Sequence, residues 1–381
     1  MGNHRFLRER TWITAFLRGE KVVPKALDWD AVFSICQGEG ISPILYKIIE
    51  KQAAFEIPSV IRDNFKAAYL LNHFRNETFL NDLKYLLGLF QKENIPILLL
   101  KGAALLTTLY EDPALRPMDD LDLLVHEEDL EKAHHLFITA GYPLTGKEYW
   151  PWWRKFGGAR SYLRDDVLVE LHWNLGGPDF PLSSAEVFTR TKKIALSGTQ
   201  ALTLAPEDFL LYHLYHAVYH HAILKLIWLM DIAKITTSWK EEIKWGRFWE
   251  KAKALNLAPG VGLGLREAKE VLGAYVPEEI LRETVTYPNT LACLINFKGE
   301  SEQKGNLLRL MRIPGIKDKA LFLLGANFPS PDFLRFRYHV SKKVAWLYFF
   351  LRPFLVIAKA LKALSRTGAA ILASITSRQE R

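Results

Sequence analysis

Residues 97–125 read ILLLKGAALLTTLYEDPALRPMDDLDLLV and contain two apolar runs. The first ends in Lys101-Gly102, and the second carries Asp120 and Asp122 as an Asp-x-Asp pair. Side chains alternate faces along a strand, so carboxylates two apart point the same way. Held side by side on a half-buried strand, they repel each other. A divalent cation between them is the simplest compensation; a solvated acidic turn after Pro117 is the alternative. Magnesium takes oxygen ligands, usually one or two carboxylates together with substrate phosphates. By the same charge argument, removing one carboxylate is expected to relax the ion-free protein by about 0.5 kcal/mol.

A third acid extends the pattern. In RSYLRDDVLVELHW (160–173), Asp165-Asp166 reads as a hairpin turn and VLVELHW as an alternating strand, with Glu170 and His172 on one face. Glu among Val, Leu and Trp is an unusual choice unless its face is a site. Strand, Asp-x-Asp, helix, hairpin, strand with an acid fits a two-metal centre of three carboxylates: Asp120, Asp122 and Glu170. Lys101 sits at a strand end, before Gly102 and a helix start, where backbone N–H groups and a cation make a phosphate site. Arg116 either meets a phosphate or neutralises Asp119.

His213, His216, His220 and His221 fall at i, i+3, i+7 and i+8, mostly on one helical face. Such spacing suits a metal, which opens a rival reading as a metal phosphohydrolase. Packing against Asp231 or an interdomain face is the plainer reading. Tyr149, Trp150, Trp152, Trp153 and Phe156 flank Arg154 and Lys155, a grouping that either stacks on bases or packs as an apolar hairpin.

The 381 residues suffice for two or three domains with real cores. Hydrophobic residues make up 49% and charged residues 24%, as in globular proteins. The net charge of +8 favours an anionic partner: nucleotide, nucleic acid or membrane surface. Cys36 and Cys293 are the only cysteines, which excludes a disulfide framework and a Cys-based zinc motif. A reducing cytoplasm is the expected compartment. The charged N-terminus does not read as a secretory signal, and no apolar run is long enough to span a membrane. Residues 342–366, KKVAWLYFFLRPFLVIAKALKALSR, are basic and apolar and broken by Pro353. They suit either a buried helix or one lying on an anionic membrane, which would place the chain peripherally at the inner face.

Lys101-Gly102, the run Arg116-Pro117-Met118-Asp119-Asp120-Leu121-Asp122-Leu123-Leu124-Val125, and Glu170-Leu171-His172-Trp173 together resemble the uncharacterised nucleotidyltransferase family of the polymerase-beta superfamily. HLYHAVYHHAILKLIWLMDIAKI (213–235) resembles the helical half of that family, and the likeness spans roughly residues 25–290. The superfamily's usual Gly-Ser is absent, with Lys101-Gly102 in its place and a longer gap to Asp120. The resemblance implies an α+β fold, a polymerase-beta-like sheet with packed helices between helical termini. It implies transfer of a nucleoside monophosphate from a nucleoside triphosphate (NTP) to an acceptor hydroxyl, with release of pyrophosphate. Asp120 and Asp122 would hold two magnesium ions, and Glu170 would ligate one and help deprotonate the acceptor. Lys101, Gly102 and Arg116 would bind phosphates. His172, His216, His220 and Asp231 would contact substrate, and the acceptor is a small molecule, glycan, peptide or RNA.

The expected organisation is an N-terminal helical region at 1–75, an α/β core at 76–204 and a helical domain closing the cleft at 205–290. A linker or loose excursion at 291–335 and a basic apolar tail at 336–381 follow. A non-catalytic, membrane-docked binding protein on the same fold is the second functional expectation.

Overall fold

The two apolar runs of residues 97–125 become neighbouring strands. In the computed structural model, β1 (Leu98–Leu99) and β2 (Leu121–Leu124) pair antiparallel, with Leu98 opposite Leu124. The structure describes residues 7–20, 26–51, 57–145, 155–156, 158–196, 199–287, 301–328, 334–335, 340–352 and 354. The hairpin read around Asp165 is present: β3 (Ala159–Arg164) and β4 (Val167–His172) pair antiparallel, and Asp165 turns at a φ of 51°. Asp tolerates that left-handed conformation better than most residues. A second hairpin, β5 (Thr191–Leu196) and β6 (Thr199–Leu204), adds two strands beyond those expected. The six strands form one mixed sheet in the order β3-β4-β2-β1-β6-β5.

Helices cover the sheet and extend the core on both sides, as an α+β fold requires. Four precede it: α1 (Leu7–Leu17), α2 (Trp29–Gly38), α3 (Ser42–Lys51) and α4 (Ser59–Lys92). Asp28 caps α2 by accepting from the Ala31 N–H. Phe79, Leu83, Leu86, Leu87 and Phe90, an apolar stripe at helical spacing, are buried along α4. That helix is 34 residues long, so the boundary expected at 75/76 falls inside it. Asn72 and Asn76 lie on the same helix and donate to the carbonyls of Ala114 and Arg116, at 2.5 and 2.9 Å. They anchor the loop that leads into the acid pair.

Within and after the sheet come α5 (Lys101–Thr108), α6 (Leu130–Thr139), α7 (Ser184–Phe188) and α8 (Pro206–Tyr215). A π-helical turn, His216–His220, extends α8. Then follow α9 (Leu226–Ser238), α10 (Trp245–Ala254), α11 (Ala258–Leu272) and α12 (Glu278–Thr284). One continuous apolar core runs from Trp12 through the sheet to Leu308.

The stretch expected as a linker or loose excursion is partly helical, with α13 (Ser301–Arg312) and α14 (Ile316–Asn327). Its charge is used internally. Arg309 ion-pairs with fully buried Asp179 at 3.0 Å, and Arg312 donates to the Asp179 carbonyl. Of the aromatic cluster, Tyr149, Trp150, Trp152 and Trp153 lie outside the described residues, while Phe156 is buried edge-on to Phe322. The basic tail also falls largely outside them. Its described part, residues 342–352, is helical and exposes Trp346, Leu347, Phe350 and Leu351. Among the described residues no helix is long and apolar enough to cross a membrane.

Candidate active site

Strand register builds the acidic wall. β2 and β4 run parallel with Asp122 directly opposite Glu170 and Leu124 opposite His172. The alternation that turns Leu121 and Leu123 into the core turns Asp122 to the other face. Asp120 lies just before β2, on the wall of the same cavity of about 650 Å³ as Asp122 and Glu170. Lys101, Gly102 and Arg116 line it too, and His213, His216, His220, His221, Lys225 and Trp228 form the facing side.

Asp122 is 2% exposed, and its Oδ1 accepts from Lys101 Nζ at 2.7 Å and lies 2.9 Å from His172 Nε2. Glu170 Oε2 is 3.6 Å from the same imidazole nitrogen. Burial alone would raise the Asp122 pKa, but Lys101 and His172 outweigh it and hold the carboxyl well below its usual range. Burial likewise opposes the charge on His172, and its bonds to Asp122 and Glu170 still raise its pKa. Asp120 behaves oppositely. Burial and the Asp122 charge push it up to about 7. Two acids two residues apart are thus driven in opposite directions by environment, a pattern common at functional sites.

Compensation by Lys101 and His172 runs against the expectation that losing one carboxylate relaxes the ion-free protein. Asp122 repels Asp120 but also holds Lys101 and His172, so removing it would strand a buried ammonium. Lys101 itself has a φ of 40°, a costly conformation for a non-glycine residue. Gly102 follows because a Cβ there would lie 2.9 Å from Arg116 Nη1 and 3.1 Å from Met118.

Arg116 lines the cavity but is held from behind. Its guanidinium pairs with fully buried Asp231 at 2.9 Å, and Tyr110 donates to the other oxygen of that carboxylate at 2.8 Å. The structure therefore gives Asp231 a role in fixing Arg116. Tyr110 carries no signal in the local sequence pattern; only the return of α9, 121 residues later, brings it and Asp231 together.

The facing wall is imidazole. His216, His220 and His221 each offer a ring nitrogen within 4.8 Å of the others. Asp122, Glu170 and His172 form a second group of the same kind. Sequence reasoning reached the first group by helical spacing, but the spacing alone does not bring His221 onto the shared face. Trp228, stacked on His221 at 5.0 Å, was not anticipated.

Residues 25–273 match the family of uncharacterised nucleotidyltransferases, well over half of the chain, and the protein belongs to that family. Its class is nucleotidyl transfer. The solution structure of the antibiotic-resistance factor ANT(2'')-Ia is similar over 48% of this chain and 96% of its own, at 15% identity and a TM-score of 0.37. An antigenic nucleotidyltransferase-like protein from Paracoccidioides brasiliensis is similar over 54% of this chain and 96% of its own, at 16% identity and a TM-score of 0.36. No curated protein matches the sequence.

Proposed function

We propose that the protein transfers a nucleoside monophosphate from an NTP to an acceptor hydroxyl, with magnesium held by Asp120, Asp122 and Glu170. The observation that carries this reading is the register of β2 on β4. It sets Asp122 and Glu170 side by side on one face, and Asp120 joins them on the cavity wall. Three carboxylates are hard oxygen donors, the set magnesium selects. When bound, magnesium neutralises triphosphate charge and makes the acceptor hydroxyl more acidic.

The protein's own groups supply the rest. Lys101, beside Asp122 on the cavity wall, is a cation that would meet the incoming phosphates. Arg116, held rigid by Asp231, presents a fixed cation on the same wall. Glu170 is ionised at neutral pH: burial is outweighed by the His172 bond, which lowers its pKa. It can therefore accept the acceptor's proton as the new O–P bond forms at the α-phosphorus and pyrophosphate leaves. Residues 76–204 then carry the reaction, and the helices of 205–290 close the cleft and select the acceptor.

The test uses purified protein, α-labelled NTPs and a cell extract, with magnesium or a chelator. Magnesium-dependent label on an acceptor, matched by pyrophosphate and absent with Asp122→Asn, is the expected result. An acceptor that takes no label from α-labelled NTPs, or undiminished transfer by Asp122→Asn, overturns the reading.

A further inference from the structure

The histidine wall is built by an unusual backbone. His216–His220 is a π-helical turn, closed by the His221 N–H donating to the His216 carbonyl at 3.0 Å. In an α-helix a residue five positions on lies about 140° around the axis. Hydrogen bonding from i to i+5 stacks it one turn above instead, which brings His221 onto the face shared by His216 and His220. The packing around the turn accommodates that winding. Gly305 of α13 lies so close that a Cβ there would sit 2.0 Å from the His220 carbonyl oxygen, and a Cβ at Gly260 of α11 would sit 2.5 Å from the Tyr219 ring.

One pair of ring nitrogens stands near ligand spacing, and the third ring offers a nitrogen within 4.8 Å of both. His216 Nε2 and His221 Nε2 are 3.2 Å apart. Two imidazoles on one tetrahedral zinc, at bonds of about 2.0–2.1 Å, would have nitrogens about 3.3–3.4 Å apart. His220 stacks on His216 with centroids 5.1 Å apart, and Trp228 stacks on His221 and fixes its tilt. Burial disfavours the charged form of all three rings, with Lys101 adding to it for His216 and His221 and Arg309 for His220. Neutral imidazole is the form a metal takes. His213, three residues before His216, donates from Nδ1 to the Phe209 carbonyl, and its buried Nε2 has no partner among the described residues. That leaves a lone pair on the same wall, since His213 also lines the cavity.

We propose that His216, His220 and His221 bind one borderline divalent metal ion of the zinc class, at a site distinct from the carboxylate wall. Nitrogen donors select zinc, cobalt or nickel over magnesium, whereas the three acids select the reverse. Three protein ligands leave a coordination position open to the cavity, as in metal sites that bind a water or a substrate oxygen. The site does not depend on the transfer reading, because its ligands come from the helical half alone.

The test is a cobalt(II) titration of the chelator-treated full-length protein in excess magnesium, followed by visible absorption. One equivalent should give the bands of a nitrogen-ligated, low-coordinate cobalt, displaced by zinc and not by more magnesium. Affinity should fall at least about 100-fold with His220→Ala and with His221→Gln, and persist with Asp122→Asn. Circular dichroism shows whether each variant is folded, and the zinc-against-magnesium competition in the wild type stands without any variant. Absence of bands, displacement by magnesium, or loss with Asp122→Asn but not with a folded histidine variant overturns the site.

Discussion

The cavity has two walls made in different ways. The acid wall comes from strands, where a period of two and a parallel register set Asp122 against Glu170. The histidine wall comes from a helix wound out of its ordinary period and held there by close glycine contacts from α11 and α13. The alternation that aims the acids is local, whereas the winding of the histidine wall is set by distant packing. Their charge differs too. Asp122 is ionised and compensated by Lys101 and His172, whereas the imidazoles are kept neutral by burial. A single cavity thus faces a hard anionic surface with a softer neutral one.

The largest expected effect separates the walls by chemistry. Asp122→Asn should cut transfer at least about a thousand-fold, the scale of losing a preorganised electrostatic contact. It should also destabilise the ion-free protein by about 1–3 kcal/mol, because Lys101 loses its buried counter-ion. Turnover assays and denaturant melts measure the two. A variant as stable as the wild type would mean that the acid wall is not held by this ion pair.

A smaller effect tests how the histidine wall is held. Gly305→Ala forces a methyl onto the His220 carbonyl, an overpacking that costs about 1–3 kcal/mol. Magnesium should still raise the melting temperature of this variant as in the wild type, since the sheet is untouched. Equal loss of magnesium stabilisation would join the two walls into one unit.

The smallest effect is a pH trend. Asp120 has its folded pKa raised to about 7 from an ordinary 3.8. In the ion-free protein its contribution to stability is present at low pH and is lost as pH rises through that value. Magnesium takes only the ionised carboxylate. The magnesium-induced rise in melting temperature should therefore grow between about pH 6 and 8 in the wild type. It should stay flat in Asp120→Asn. Thermal melts at fixed ionic strength read both, and a flat wild-type profile would remove Asp120 from the metal site.

Alternation in MDDLDLLV and VLVELHW was enough to put Asp122, Glu170 and His172 on one side of their strands, because the side-chain period of a strand is a local property. The amphipathic stripe of α4 and the cap at Asp28 are local features in the same sense. The ion pairs are not. Arg116 with Asp231, Lys101 with Asp122, and Arg309 with Asp179 join residues 115, 21 and 130 positions apart. No local period encodes such partners. Residues 291–335 read as a linker or loose excursion, yet Arg309 within them finds a partner in buried Asp179. The π-turn was equally hidden, since α-helical spacing leaves His221 off the face of His216. The sequence by itself determined the class of fold and the acidic face. Only tertiary packing decided which cations neutralise that face and which imidazoles look back at it, because burial and long-range contact set both.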